Sequence, residues 1–134
     1  MKRKSFIVGI MLLCILLIGT TAFAATVSYG FTFNDITTTL STATGAKKSH
    51  DHKYYDITIY SSSTVSDANV LGARPRNGAN NDYAGSYKTY TSTGTFTKSY
   101  YEDDLPIDYV YFRMKKDNSS TSGTPLSVSG SFVP

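Results

Sequence analysis

Tryptophan is absent from the 134-residue chain, and cysteine occurs once, at Cys14. A single thiol can build neither a disulfide framework nor a thiolate zinc site. Aliphatic bulk is also scarce. From residue 25 onward Val, Ile, Leu and Phe supply 19 of 110 side chains, below the ~20% at which disorder competes with folding. Disorder is still the poorer account, because disordered chains lack aromatics and carry excess charge, whereas all eleven tyrosines lie beyond residue 25. There is no Gly-rich phosphate loop, no His-Glu-x-x-His and no Gly-x-Ser-x-Gly. The usual marks of nucleotide, zinc-protease and serine-hydrolase chemistry are therefore missing, and neither an enzymatic activity nor a cofactor is expected.

The one long apolar run is N-terminal. Lys2, Arg3 and Lys4 precede an apolar stretch from Phe6 to Gly19, and Ala22-Phe23-Ala24 puts small residues where a signal peptidase reads. This pattern predicts a signal helix over residues 1–24 with cleavage before Ala25, and one secreted domain over 25–134. Leu13 before Cys14 does not suit a lipid-anchored variant. The leader holds three of the thirteen basic residues and no acid, so residues 25–134 carry ten bases against ten acids. A neutral domain has no long-range field to gather nucleic acid or anionic lipid. Neither a nucleic-acid partner nor stable membrane insertion after cleavage is expected. Export of a domain without disulfides fits a bacterial envelope or medium.

Alternation with period two recurs after residue 25, and no helical stripe does. Val27, Tyr29, Phe31 and Phe33 share one face of a first strand; Ile36, Thr38 and Leu40 form a weaker second. Tyr55, Ile57 and Ile59 form an inward row opposite Tyr54, Asp56, Thr58 and Tyr60. A short strand over Ala68 to Ala73 leads into Arg74 to Asp82, read as a loop because proline lacks the ladder donor and Asn77-Gly78 favours positive φ. Ser86 to Thr91 and Thr95 to Tyr100 flank Ser92-Thr93-Gly94 and read as a hairpin. Val110, Phe112 and Met114 oppose Tyr109, Tyr111 and Arg113, and Leu126, Val128, Gly130 and Phe132 complete a last strand. The fold class expected is all-β, an antiparallel β-sandwich or small barrel of seven or eight short strands, with Lys88, Lys98 and Pro125 guarding its edges.

Tyrosine marks the candidate binding surface. With the aliphatic rows inward, Tyr54 and Tyr60, and likewise Tyr109 and Tyr111, line outer sheet surfaces, where flat rings beside hydrogen-bonding groups suit sugars or a protein surface. The same residues also make stabilising cross-strand pairs. His50 and His52, two apart, could grip one divalent ion if extended, against the alternative of a solvated loop. Asp103 and Asp104, within the acidic run 102–108, offer hard oxygen ligands without the spacing of an EF-hand loop. Arg74 and Arg76 around Pro75 could hold a phosphate or carboxylate. Asn118-Ser119-Ser120 matches a glycosylation sequon.

The basic leader ending Ala-Phe-Ala, the Tyr/Thr-rich body, the run Tyr109-Val110-Tyr111-Phe112-Arg113 and the closing Ser127-Val128-Ser129-Gly130-Ser131-Phe132-Val133-Pro134 resemble small exported proteins of Gram-positive bacteria grouped as a family of unknown function. The chain is more distantly similar to lactococcin-like secreted bacteriocins. The resemblance implies a secreted β protein and points to no catalytic residues. The expected function is that of an extracellular or cell-envelope binding protein, with cell-wall polysaccharide or an envelope protein as partner; the alternative is a bacteriocin-like antagonist of neighbouring bacteria.

Overall fold

A computed structural model describes residues 25–43, 45–48, 52–78, 82–101 and 109–134. The leader, with its expected signal helix, lies outside them. The chain is all-β, and no helix occurs among the described residues. Nine strands form among the described residues, against the seven or eight expected: β1 (Val27–Phe33), β2 (Thr39–Ser41), β3 (Ala46–Lys47), β4 (Tyr54–Ile59), β5 (Leu71–Asn77), β6 (Lys88–Tyr90), β7 (Gly94–Ser99), β8 (Tyr109–Lys116) and β9 (Leu126–Val133). They make two antiparallel sheets. One has the order β1-β9-β4-β7; the other runs β2-β8-β5-β6, with β3 also on β8.

Alternation decides what each strand buries. Tyr29 and Phe33 of β1, Tyr55, Ile57 and Ile59 of β4, and Leu126, Val128 and Phe132 of β9 point inward from the first sheet. Leu71 and Ala73 of β5 and Val110, Phe112 and Met114 of β8 point inward from the second. These residues form one hydrophobic cluster. Its centre is aromatic: the Phe112 ring lies 4.8 Å from Phe132 and 5.0 Å from Tyr55, joining the two sheets. Rings thus supply the bulk that the scarce aliphatics do not.

Three expectations need correction. The segment 74–82 is not all loop, because β5 runs on through Pro75 to Asn77 against β8. Phe112, opposite Pro75, turns both its N–H and C=O toward Thr42 on the other side. Pro75 therefore sits at a position that owes β8 no donor, and its carbonyl instead accepts from Ala84 N at 3.0 Å, which is how a proline survives inside a strand. The second strand is shorter than expected, β2 being only three residues long, with Ile36 outside it and exposed. Here Asp35 diverts the chain into a turn: its Oδ1 accepts from Thr37 N and Thr38 N, each at 2.8 Å. Those hydrogen bonds, with the Thr37 hydroxyl foremost, hold the Asp35 carboxyl down to about 2.

The third correction concerns the hairpin. β6 pairs with β5 in one sheet and β7 with β4 in the other, so residues 91–93 cross between sheets. Tyr90 and Phe96 meet across the crossing at 5.0 Å, and Gly94 takes the positive φ of 136° that starts β7. A full six-residue ladder with β4 is open to β7 in this arrangement. Lys88 and Lys98 do lie on the edge strands β6 and β7.

Candidate functional site

The outward faces of the two sheets differ in chemistry. On the first, register aligns Ser28, Ser131, Thr58 and Thr95 as one row across all four strands, with neighbours about 4.8 Å apart. The Thr58 and Thr95 hydroxyls are bonded at 3.0 Å, and Thr97 Oγ1 donates to the Asp56 carboxylate at 2.5 Å. Ser127 and Ser129 continue the hydroxyls along β9. No lysine or arginine projects from this face within the four strands. Tyr54 and Tyr60 stand at its two ends on β4 and just beyond it, roughly 20 Å apart by strand rise, and are 61% and 44% exposed. Tyr54 lines a hollow of about 470 Å³ with His52, Lys53, Asp56, Thr97 and Pro134.

The second sheet turns outward Tyr109, Tyr111, Arg113 and Lys115 from β8, Gly72, Arg74 and Arg76 from β5, and Thr39 and Ser41 from β2. Small residues admit large rings here. A Cβ on Gly45 or Gly78 would come within 2.8 or 2.6 Å of the Tyr111 ring, and a Cβ on Gly72 would collide with the Tyr87 hydroxyl. Tyr87 thus lies across β5, and its hydroxyl donates to Asp117 Oδ2 at 2.6 Å. Burial, helped by that bond and by the negative charge of Asp117, pushes the Tyr87 hydroxyl well above its ordinary range. Partial burial would raise Asp117, but hydrogen bonds from Ser119 and Tyr87 outweigh it and hold the carboxyl low.

The four tyrosines singled out from the sequence therefore divide into two pairs. Tyr54 and Tyr60 belong to the hydroxyl face; Tyr109, 47% exposed, and the half-buried Tyr111 belong to the basic face. Of the metal candidates, His50, Asp103 and Asp104 lie outside the described residues. His52 Nδ1 lies 3.4 Å from the Pro134 carbonyl oxygen, and no group of three potential ligands occurs among the described residues. Sequence reasoning did not connect Arg113 and Lys115 with Arg74, because only the β5–β8 register brings them together. No protein-family model matches the chain, and no curated protein or solved structure proves similar to it.

Proposed function

We propose that the protein is a secreted, non-enzymatic two-layered β-sandwich that acts outside the cell by holding an envelope polysaccharide on the outer face of its four-stranded sheet. One observation carries this reading: the most exposed tyrosine, Tyr54, lines a hollow together with a carboxylate, a hydroxyl and a cation. A sugar ring offers an apolar C–H face and a rim of hydroxyls. The Tyr54 ring suits the first, while Asp56, Thr97 and Lys53 suit the second as acceptor, mixed group and donor. The serine and threonine rows extend such a surface toward Tyr60 without charges that a neutral polymer would have to desolvate. Glycosidic cleavage would need two carboxylates flanking the bond, and Asp56 is the one acid among the described residues that line the hollow.

Retention on insoluble wall polysaccharide tests the reading. The double substitution Tyr54→Ala and Tyr60→Ala is expected to abolish retention while leaving the β-type circular dichroism intact. Unchanged retention would remove this face from consideration.

A further inference from the structure

The basic face holds a second concavity, remote in chemistry from the first. A cleft of about 350 Å³ is lined by Thr39, Arg74, Tyr83, Tyr87, Arg113 and Lys115. Three cations and no carboxylate are among these residues, in a domain whose bases and acids balance.

The arrangement is built rather than casual. Arg74 and Arg113 are directly opposed across the β5–β8 ladder, in the hydrogen-bonded type of pair whose Cα atoms lie about 5.5 Å apart. Like charges so placed destabilise a sheet unless something neutralises them. Arg74 is nonetheless fixed in position: its guanidinium stacks on the Tyr83 ring at 3.4 Å, Nε donates to Gly85 O at 2.9 Å, and Nη2 donates to Tyr101 Oη at 3.2 Å. Of the five N–H groups of an arginine, three are left over in this arrangement. Arg113 is exposed. Lys115 spends one donor on Asn118 Oδ1 at 2.7 Å and keeps two. Asp117, beside Lys115, is occupied by Tyr87 and Ser119, and through Tyr87 it holds one wall of the cleft.

We infer that this cleft binds the phosphate ester of a sugar or polyol. Three convergent cations match a group with up to two charges and three strong acceptor oxygens better than a carboxylate with one charge and two oxygens. The Thr39 hydroxyl adds a further donor. The volume exceeds what the phosphoryl group alone fills, and the Tyr83 and Tyr87 rings offer apolar walls to the carbon skeleton of the ester. The site lies on the sheet opposite the Tyr54 hollow and does not depend on the function proposed for that face.

Thermal shift and calorimetric titration of the full chain with inorganic phosphate, glycerol phosphate and a polymeric polyol phosphodiester test the inference. Glycerol phosphate is expected to raise Tm, as a ligand of the folded state must, and to bind more tightly than inorganic phosphate. Tighter binding of the polymer than of the monoester would also support the site and identify a polymer as its source. Arg113→Gln, at an exposed position, is expected to weaken binding tenfold or more, with Arg113→Lys intermediate. Tyr54→Ala with Tyr60→Ala should leave phosphate binding unchanged, so the two faces can fail independently. The inference is overturned if sodium chloride of equal ionic strength gives the same shift, if no phosphate compound shifts Tm, or if Arg113→Gln binds as the wild type does.

Discussion

Gly130 shows how much a single missing methyl group can organise. It sits on the inner strand β9, opposite Tyr29 on one side and Ile59 on the other. The Tyr29 ring lies over it, and the Tyr29 hydroxyl crosses the strand to donate to the Thr58 carbonyl of β4 at 2.9 Å. One side chain from β1 thereby ties down the strand after next. A Cβ at Gly130 would collide with both the Thr58 carbonyl oxygen and that hydroxyl. Gly130→Ala should therefore cost about 1–3 kcal/mol, as overpacking does, and lower Tm by several degrees. Gly30 is the control, since a Cβ there meets nothing within 4 Å and alanine is the less entropically costly residue in a strand. Gly30→Ala should leave Tm unchanged or slightly raised. Equal losses in the two variants, measured by thermal denaturation, would show that the Tyr29 bridge is not the reason.

The inward rows of β1, β4, β8 and β9 were legible in the sequence because a strand buried on one face must alternate, and these four do so over six to eight residues. The crossing at Ser92-Thr93-Gly94 was not. A three-residue connection with glycine serves a hairpin or an arch between layers equally well, and only the competition for β4 as partner decides between them. Pro75 misled for a related reason, since the rule that proline breaks strands fails where the neighbouring strand asks for no donor. The same limit applied to the sites. Tyr54 and Tyr60 are close in sequence and were found together, whereas Arg74 and Arg113 become neighbours only through a register formed between distant segments.

Alternation also buries a strand lysine. Lys116 ends β8 in phase with Val110, Phe112 and Met114, and it is buried. Its Nζ donates to the carbonyls of Ser122 and Thr124 at 2.7 and 2.6 Å, closing the loop of residues 117–125 over its own strand. The loop is further docked by Asp117 N on Val70 O and by Thr121 N and Ser122 N on Ala68 O. Lys116→Met keeps the apolar stem but leaves two carbonyls without their donor, a loss of about 1–3 kcal/mol. Amide exchange should accelerate most within residues 117–125 if the lysine is the clasp. Exchange that rises evenly over the whole domain would count against it.

At the scale of the molecule, nearly every strand pairs with one distant in sequence. Among the sheet pairings of the described residues β5–β6 alone joins strands consecutive in the chain, while β8 and β9, the last two, occupy inner positions of the two sheets. Neither sheet can be completed until the C-terminal quarter of the chain is present, a topology that belongs with slow folding. The core that closes this topology includes rings that carry hydroxyls. Tyr29 of β1, Tyr55 of β4, Tyr90 of β6 and Tyr100 beyond β7 are all buried, so both sheets contribute phenols to the interior.

That composition fixes how the fold should respond to alkali. Burial pushes the Tyr90 hydroxyl up to about 12, with the Tyr55 hydroxyl pulling the other way, and it raises Tyr29, Tyr55 and Tyr100 further still. In the unfolded chain the same groups release their protons near pH 10. Above that pH the unfolded state binds fewer protons than the folded one, so stability falls as pH rises. The contribution of the four phenols is fully present below pH 10 and is lost progressively as pH climbs through 12 and the still higher values of the other three. The phenolate absorbance of these tyrosines should therefore appear in one cooperative step together with loss of the β-type circular dichroism, and Tm should drop steadily from pH 10 upward. Tyr100→Phe, which removes one of the four ionisations, should move the alkaline midpoint to higher pH. A midpoint that stays where it was, or phenolate absorbance from all eleven tyrosines while the circular dichroism remains native, would mean that the core admits charge and that the buried rings do not hold the two sheets together.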